Sequence, residues 1–192
     1  MPRSEAVFEA LLPAVITQKV PTDHAHESYK SLVFELGEPA PGPTRLRVPP
    51  PAAVMARVPY WKLHGFGVER RRADVIITAA RSARRLEETL DMDAEAASKR
   101  LQAFPGVGPW TAAKVAQVAL GDADAVPVGD YHLPHLVGFA FEGTARSTDE
   151  RMLELLEPYR GHRARVIRLL ILAGIRPPRF GPRLVVPDIR RS

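Results

Sequence analysis

The chain has 192 residues, 45% of them hydrophobic and 26% charged, enough apolar material to bury a core and too much for a disordered tail. A formal charge of +5 and a pI near 9.9 favour an anionic partner, with nucleic acid foremost. There is no cysteine, which excludes disulfides, thiolate zinc sites and cysteine-held iron–sulfur clusters and agrees with a reducing cytoplasm.

Helical periodicity dominates from the start. Phe8, Leu11, Leu12, Val15 and Ile16 follow one helix face, with Ser4 available as a cap and Pro13 predicting a kink or a late start. A second helix is predicted over 23–36, ended by Gly37. "GEPAPGPTRLRVPPP" then reads as an irregular connection rich in proline and glycine. Trp61, in "PYWKLHGFG", reads first as ordinary core packing. Val75, Ile76, Ala79, Ala83 and Leu86 mark a helix whose arginines, at 70, 71, 72, 81, 84 and 85, form a solvated face or help to track a phosphate backbone. Asp93 caps a helix that ends near Phe104.

In the second half, Ser147 and Glu150 have capping-box spacing ahead of Met152, Leu155 and Leu156. A last helix is predicted over 162–173, stopped by Gly174. The most apolar run, 166–175, contains Arg168 and is too short to span a bilayer, so no membrane partner is expected. No alternating strand pattern of convincing length and no internal repeat is visible. The fold class is all-α, with an extended basic tail over 177–192.

"LQAFPGVGPWTAAKV", residues 101–115, joins two of these helices through two glycines flanked by Pro105 and Pro109. Ala97, Leu101 and Phe104 form the apolar stripe of the incoming helix. Gly108 suits the N-cap of the outgoing one and Pro109 its N1 position, where a missing N–H costs nothing. Gly106, Val107 and Gly108 then present backbone N–H groups with no side chain over the glycines, at the positive end of a helix dipole. That is a ready anion site. The plainer reading is a tight helical hairpin whose glycines only permit the turn. Further on, "VGDYHLP" places Asp130 at the start of a short helix, where an aspartate is favoured simply as a cap.

Taken together, the two stretches resemble the helix–hairpin–helix DNA glycosylases, most nearly the 3-methyladenine DNA glycosylase II branch. "FEALLPAVITQKV" near the start and "EPYRGHRARVIRLLIL" near the end are similar to that family's first and closing segments, so the resemblance runs through nearly the whole chain. It implies a two-lobed helical fold with the active-site cleft between the lobes. One lobe would take about 21–129 with the hairpin at 101–120, the other about 1–20 and 130–176, with the branch's β-rich N-terminal domain absent. It implies double-stranded DNA with a damaged base as partner, acted on by a monomer in the cytoplasm, associated with the nucleoid if the source is bacterial. Asp130 would be the catalytic carboxylate. Gly106, Val107, Gly108, Thr111, Lys114 and Lys19 would contact DNA, and Trp110, Tyr131 and Gln18 would line the base pocket. Relatives also hold a monovalent cation on hairpin carbonyls, here those of Phe104 and Val107. No other cofactor is implied.

The chemistry implied is excision of an alkylated purine of the 3-methyladenine type. Position 110 carries tryptophan where strand-nicking relatives have a lysine, so an intact abasic site is the implied product. Lys114 stands where this branch tends to have an aromatic. The alternative is a non-catalytic helix–hairpin–helix module that binds DNA without turnover. His24, His26, His132 and His135 show no zinc signature.

Overall fold

The computed structural model describes residues 2–178 and Ile189. Most of the tail expected at 177–192 therefore lies outside the described residues. By internal packing the described residues divide into two units, one holding 6–107 and the other 2–5 with 108–178. The lobes implied by the resemblance, about 21–129 and about 1–20 with 130–176, are a different division from these packing units, which part at 5/6 and 107/108.

The first unit holds α1 (Val7–Ile16), α2 (Thr22–Leu36), a ladder of two-residue strands β1 (Glu38–Pro39) and β2 (Arg47–Val48), and then α3 (Ala52–Met55), α4 (Tyr60–Gly65), α5 (Arg70–Arg81), α6 (Ala83–Glu87) and α7 (Ala94–Gln102). α1 belongs here because it packs against α2, α5 and α6. Leu11, Leu12 and Ile16 meet a core that also buries Leu32, Ile76, Leu86 and Leu101. The helix begins at Val7 and continues past Pro13 to Ile16, so there is no late start. Proline leaves only the Glu9 carbonyl without its helical donor, and Glu9 lies at the solvent face.

Ser4 does not cap α1. Its N–H donates to the Val118 carbonyl at 3.0 Å, inside the other unit. The cap comes from Glu87, whose carboxylate accepts the Val7 N–H at 2.9 Å and the Phe8 N–H at 3.0 Å. At the other end Arg72 Nη1 donates to the Ile16 carbonyl at 2.6 Å. Arg72 is only 6% exposed, so it leaves the arginine face predicted for α5. Burial pulls its guanidinium below the usual range, with Glu69 opposing. Arg70 pairs with Asp74 and lies over the Tyr60 ring. Trp61 is 71% exposed and is not a core residue. It sits on the outer side of α4, whose inward position is taken by Leu63. Asp93 caps α7 as predicted, accepting the Ala96 N–H at 2.8 Å.

The second unit holds α8 (Pro109–Val115), a π-helical turn (Ala116–Leu120), α9 (Leu133–Glu142), α10 (Asp149–Leu156) and α11 (Arg163–Leu172). Its core joins Leu136 and Val137 of α9, Met152 and Leu156 of α10, and Ile167 of α11. The cap of α10 is Thr148, whose hydroxyl accepts the Arg151 N–H, and not Ser147 one place earlier. Ser147 is turned inward, and its N–H donates to His135 Nδ1 at 3.1 Å. Among the described residues no helix is long and apolar enough to cross a membrane.

Candidate active site

The hairpin forms as its spacing predicts, with Gly108 at the N-cap of α8 and Pro109 at N1. Its two glycines have different reasons to be glycine. Gly106 has φ +82°, and a Cβ there would stand 2.2 Å from Val75 Cγ2, so turn and packing both require it. Gly108 has an ordinary extended backbone, and an added Cβ would meet nothing within 4 Å. Val107 is buried and plugs the turn from inside. Its N–H is not offered outward as the sequence suggests, because it donates to the Phe104 carbonyl at 3.0 Å. The N–H groups of Gly106 and Gly108 find no acceptor among the described residues.

Gln18 Nε2 donates to the Gly106 carbonyl at 3.0 Å, so its amide buttresses the hairpin loop. Lys19, the next residue, is exposed and sits at φ +54°, a left-handed conformation uncommon for a lysine. Thr111, expected to face a phosphate, is 2% exposed on the inner side of α8 and packs into the core.

Asp130 lies between Gly129, at φ +88°, and the start of α9. Its Oδ1 accepts the His132 N–H at 2.8 Å and the Leu133 N–H at 3.1 Å, capping the helix by the geometry of an aspartate turn. Its Oδ2 accepts the Trp110 indole N–H at 2.8 Å. No cation pairs with it among the described residues. The cap read from sequence is thus present, and among the described residues no cation cancels the negative charge of this carboxylate. A carboxylate held by neutral donors can stabilise positive charge that develops beside it and orient a water.

Lys114 is one helical turn along α8 from Trp110, and its Nζ lies 5.9 Å from the centre of the indole ring. Tyr131 is 78% exposed, edge-on to the rings of His132 and His135. The structure therefore gathers Trp110, Lys114, Asp130 and Tyr131 in the second unit, and Gln18, Lys19, Phe104, Gly106 and Val107 in the first. No group of three or more histidine, aspartate or glutamate side chains suited to a metal ion occurs among the described residues.

Sequence reasoning missed Asp124. It sits in the loop between the π-helical turn and α9 and binds Arg163 at the start of α11, with Arg163 Nε donating at 2.8 Å. The N–H groups of Gly161 and Arg163 donate to the same carboxylate at 2.7 and 3.0 Å. Partial burial alone would raise its pKa, but these donors and the guanidinium charge hold it below the usual carboxylate range.

No family model matches the chain. Over 126 residues it is 33% identical to DNA-3-methyladenine glycosylase 2 of Escherichia coli (strain K12), covering 64% of this chain and 39% of that protein. Over 159 residues it is 26% identical to the DNA-3-methyladenine glycosylase of Bacillus subtilis (strain 168), covering 80% and 52%. Among solved structures, the 3-methyladenine DNA-glycosylase from Archaeoglobus fulgidus matches with a TM-score of 0.79 at 25% identity, over 87% of this chain and 57% of that one. The chain spans about half the length, or less, of the curated relatives it matches. With the helical fold and two separate relatives in agreement, the chain belongs to the helix–hairpin–helix DNA glycosylase superfamily, related to its 3-methyladenine branch.

Proposed function

We propose that this chain is a monofunctional DNA glycosylase: it binds double-stranded DNA as a monomer, turns a damaged purine out of the stack and hydrolyses its N-glycosidic bond. The observation that carries the reading is Asp130, anchored through both oxygens by three N–H donors, with no neutralising cation among the described residues. Breaking the N-glycosidic bond builds oxocarbenium character on the deoxyribose, as in other glycoside hydrolyses. A fixed anion stabilises that charge and orients or deprotonates the attacking water. An alkylated purine of the 3-methyladenine type is already cationic and leaves without a dedicated general acid, so one carboxylate suffices. Extrusion of the base precedes the chemistry.

The hairpin supplies the hold on DNA. The N–H groups of Gly106 and Gly108 would donate to a phosphate, and Lys19 and Lys114 would add positive charge. A monovalent cation would fit the carbonyls of Phe104 and Val107. The Phe104 oxygen keeps a lone pair beyond the Val107 N–H, and a cation there would add to the field that draws the phosphate. With Trp110 in place of a lysine, no amine stands at that position to attack the sugar, and the product is an intact abasic site.

The test is a duplex carrying one methylated purine, treated with the parent and with Asp130→Asn, with and without alkali. Strand cleavage that needs alkali, and is lost in the variant while binding persists, supports the proposal. Cleavage without alkali would point to Lys114 or another lysine as a lyase nucleophile. Binding without release of any alkylated or deaminated purine would make the chain a non-catalytic module.

A further inference from the structure

We infer that Trp110 is a positioning residue for Asp130, and that the indole N–H, more than the ring face, is what this site requires at position 110. The inference rests on the proposed glycosylase reading, because it assigns a part to a residue of that site.

The geometry separates the two oxygens of Asp130. Oδ1 is held by backbone N–H groups at the start of α9, which belong to the helix whatever the site does. Those bonds hold the carboxylate by one oxygen only, so its rotation about the Cβ–Cγ bond is restrained from one side. Oδ2 has one partner, the Trp110 Nε1–H at 2.8 Å. With that bond made, the carboxylate is clamped at both oxygens, and its remaining lone pairs keep their directions for a sugar or a water. An indole has a single N–H, so a ring donating it to Asp130 must lie edge-on to the carboxylate.

Lys114 acts on the same ring from its face. An ammonium 5.9 Å from the ring centre draws π density toward itself and so makes the in-plane N–H a better donor. It also takes up space near one face, which leaves less of the ring for a stacked base. Trp110 thus meets a cation at its face and an anion at its edge.

Trp110→Phe keeps a flat aromatic ring and removes the donor. The expected result is a kcat lower by roughly 10- to 100-fold with KM within about twofold, the pattern of a group that acts in the transition state. An unchanged kcat with a raised KM would overturn the inference and make the ring a binding wall. A second measurement needs no turnover. The chain has two tryptophans, so a 1H–15N spectrum holds two indole signals, and Trp61→Phe assigns them. The Trp110 indole proton should resonate downfield of that of exposed Trp61 and move upfield in Asp130→Ala. A Trp110 signal unmoved by that substitution would overturn the inference even in a parent that releases no base. Failure of the glycosylase reading is seen separately, as an inactive parent.

Discussion

Two aspartates in the loop before α9 are held by similar numbers of hydrogen bonds to opposite ends. Asp124 meets a guanidinium and two backbone N–H groups, and its charge is cancelled by Arg163. Asp130 meets two backbone N–H groups and an indole N–H, and its charge is cancelled by nothing described. Hydrogen bonding fixes position in both, and only the absence of a cation leaves an electrostatic field for a ligand to use.

The most severe way to break that contrast is to remove the charge at Asp130. Asp130→Asn keeps an acceptor for the cap, so folding and DNA binding should change little while base release falls by about three orders of magnitude or more. Single-turnover kinetics beside a binding titration would show it. At Asp124 the result should invert: Asp124→Asn leaves Arg163 without its anion and should lower stability by about 2–3 kcal/mol, measured by urea unfolding, with the chemistry intact in the folded fraction.

The pH dependence sharpens the same point. Asp124 has a folded pKa below its ordinary value, so its stabilising contribution is complete above the unfolded pKa of about 3.9 and is lost as pH falls through the folded value. The stability gap between parent and Asp124→Asn should therefore be flat from neutral pH down to about 5 and close only in stronger acid.

The smallest effects belong to the hairpin glycines, where one bare Cα is used inside the fold and the other is left open. Gly106→Ala must push against Val75 in a left-handed backbone and should cost about 1–3 kcal/mol of stability. Gly108→Ala meets empty space, so its melting temperature should stay near that of the parent. Affinity for duplex DNA should fall several-fold, because a methyl then stands where a phosphate approaches.

Much of this was legible from the sequence because it is local. The 3.6-residue periodicity of 8–16, the Asp93 cap and the Gly108–Pro109 helix start each follow from residues a few places apart, whereas the stripe from Val75 to Leu86, expected as one helix, is parted at Ser82 into α5 and α6. What was not legible joins distant residues. Nothing near Ser4 says that Glu87 will cap the first helix, and nothing near Arg72 says that it will turn inward to the Ile16 carbonyl while its neighbour Arg71 stays exposed. The candidate site divides along the same line. Asp130 was found by its motif, but Trp110 was read as an aromatic wall, since only three-dimensional structure shows its edge, and not its face, toward the carboxylate.

The two ends of α1 carry a kinetic consequence. Its amino end is closed by a carboxylate 80 positions away and its carboxyl end by a guanidinium 56 positions away. A ten-residue helix containing a proline is too short to persist alone in water, and here neither of these stabilising partners is available until α5 and α6 have formed and the intervening loop has closed. α1 should therefore dock after the folding barrier has been crossed. Glu87→Gln would then speed unfolding while leaving the refolding rate nearly untouched, so a helix that precedes its partners in the chain would follow them in folding.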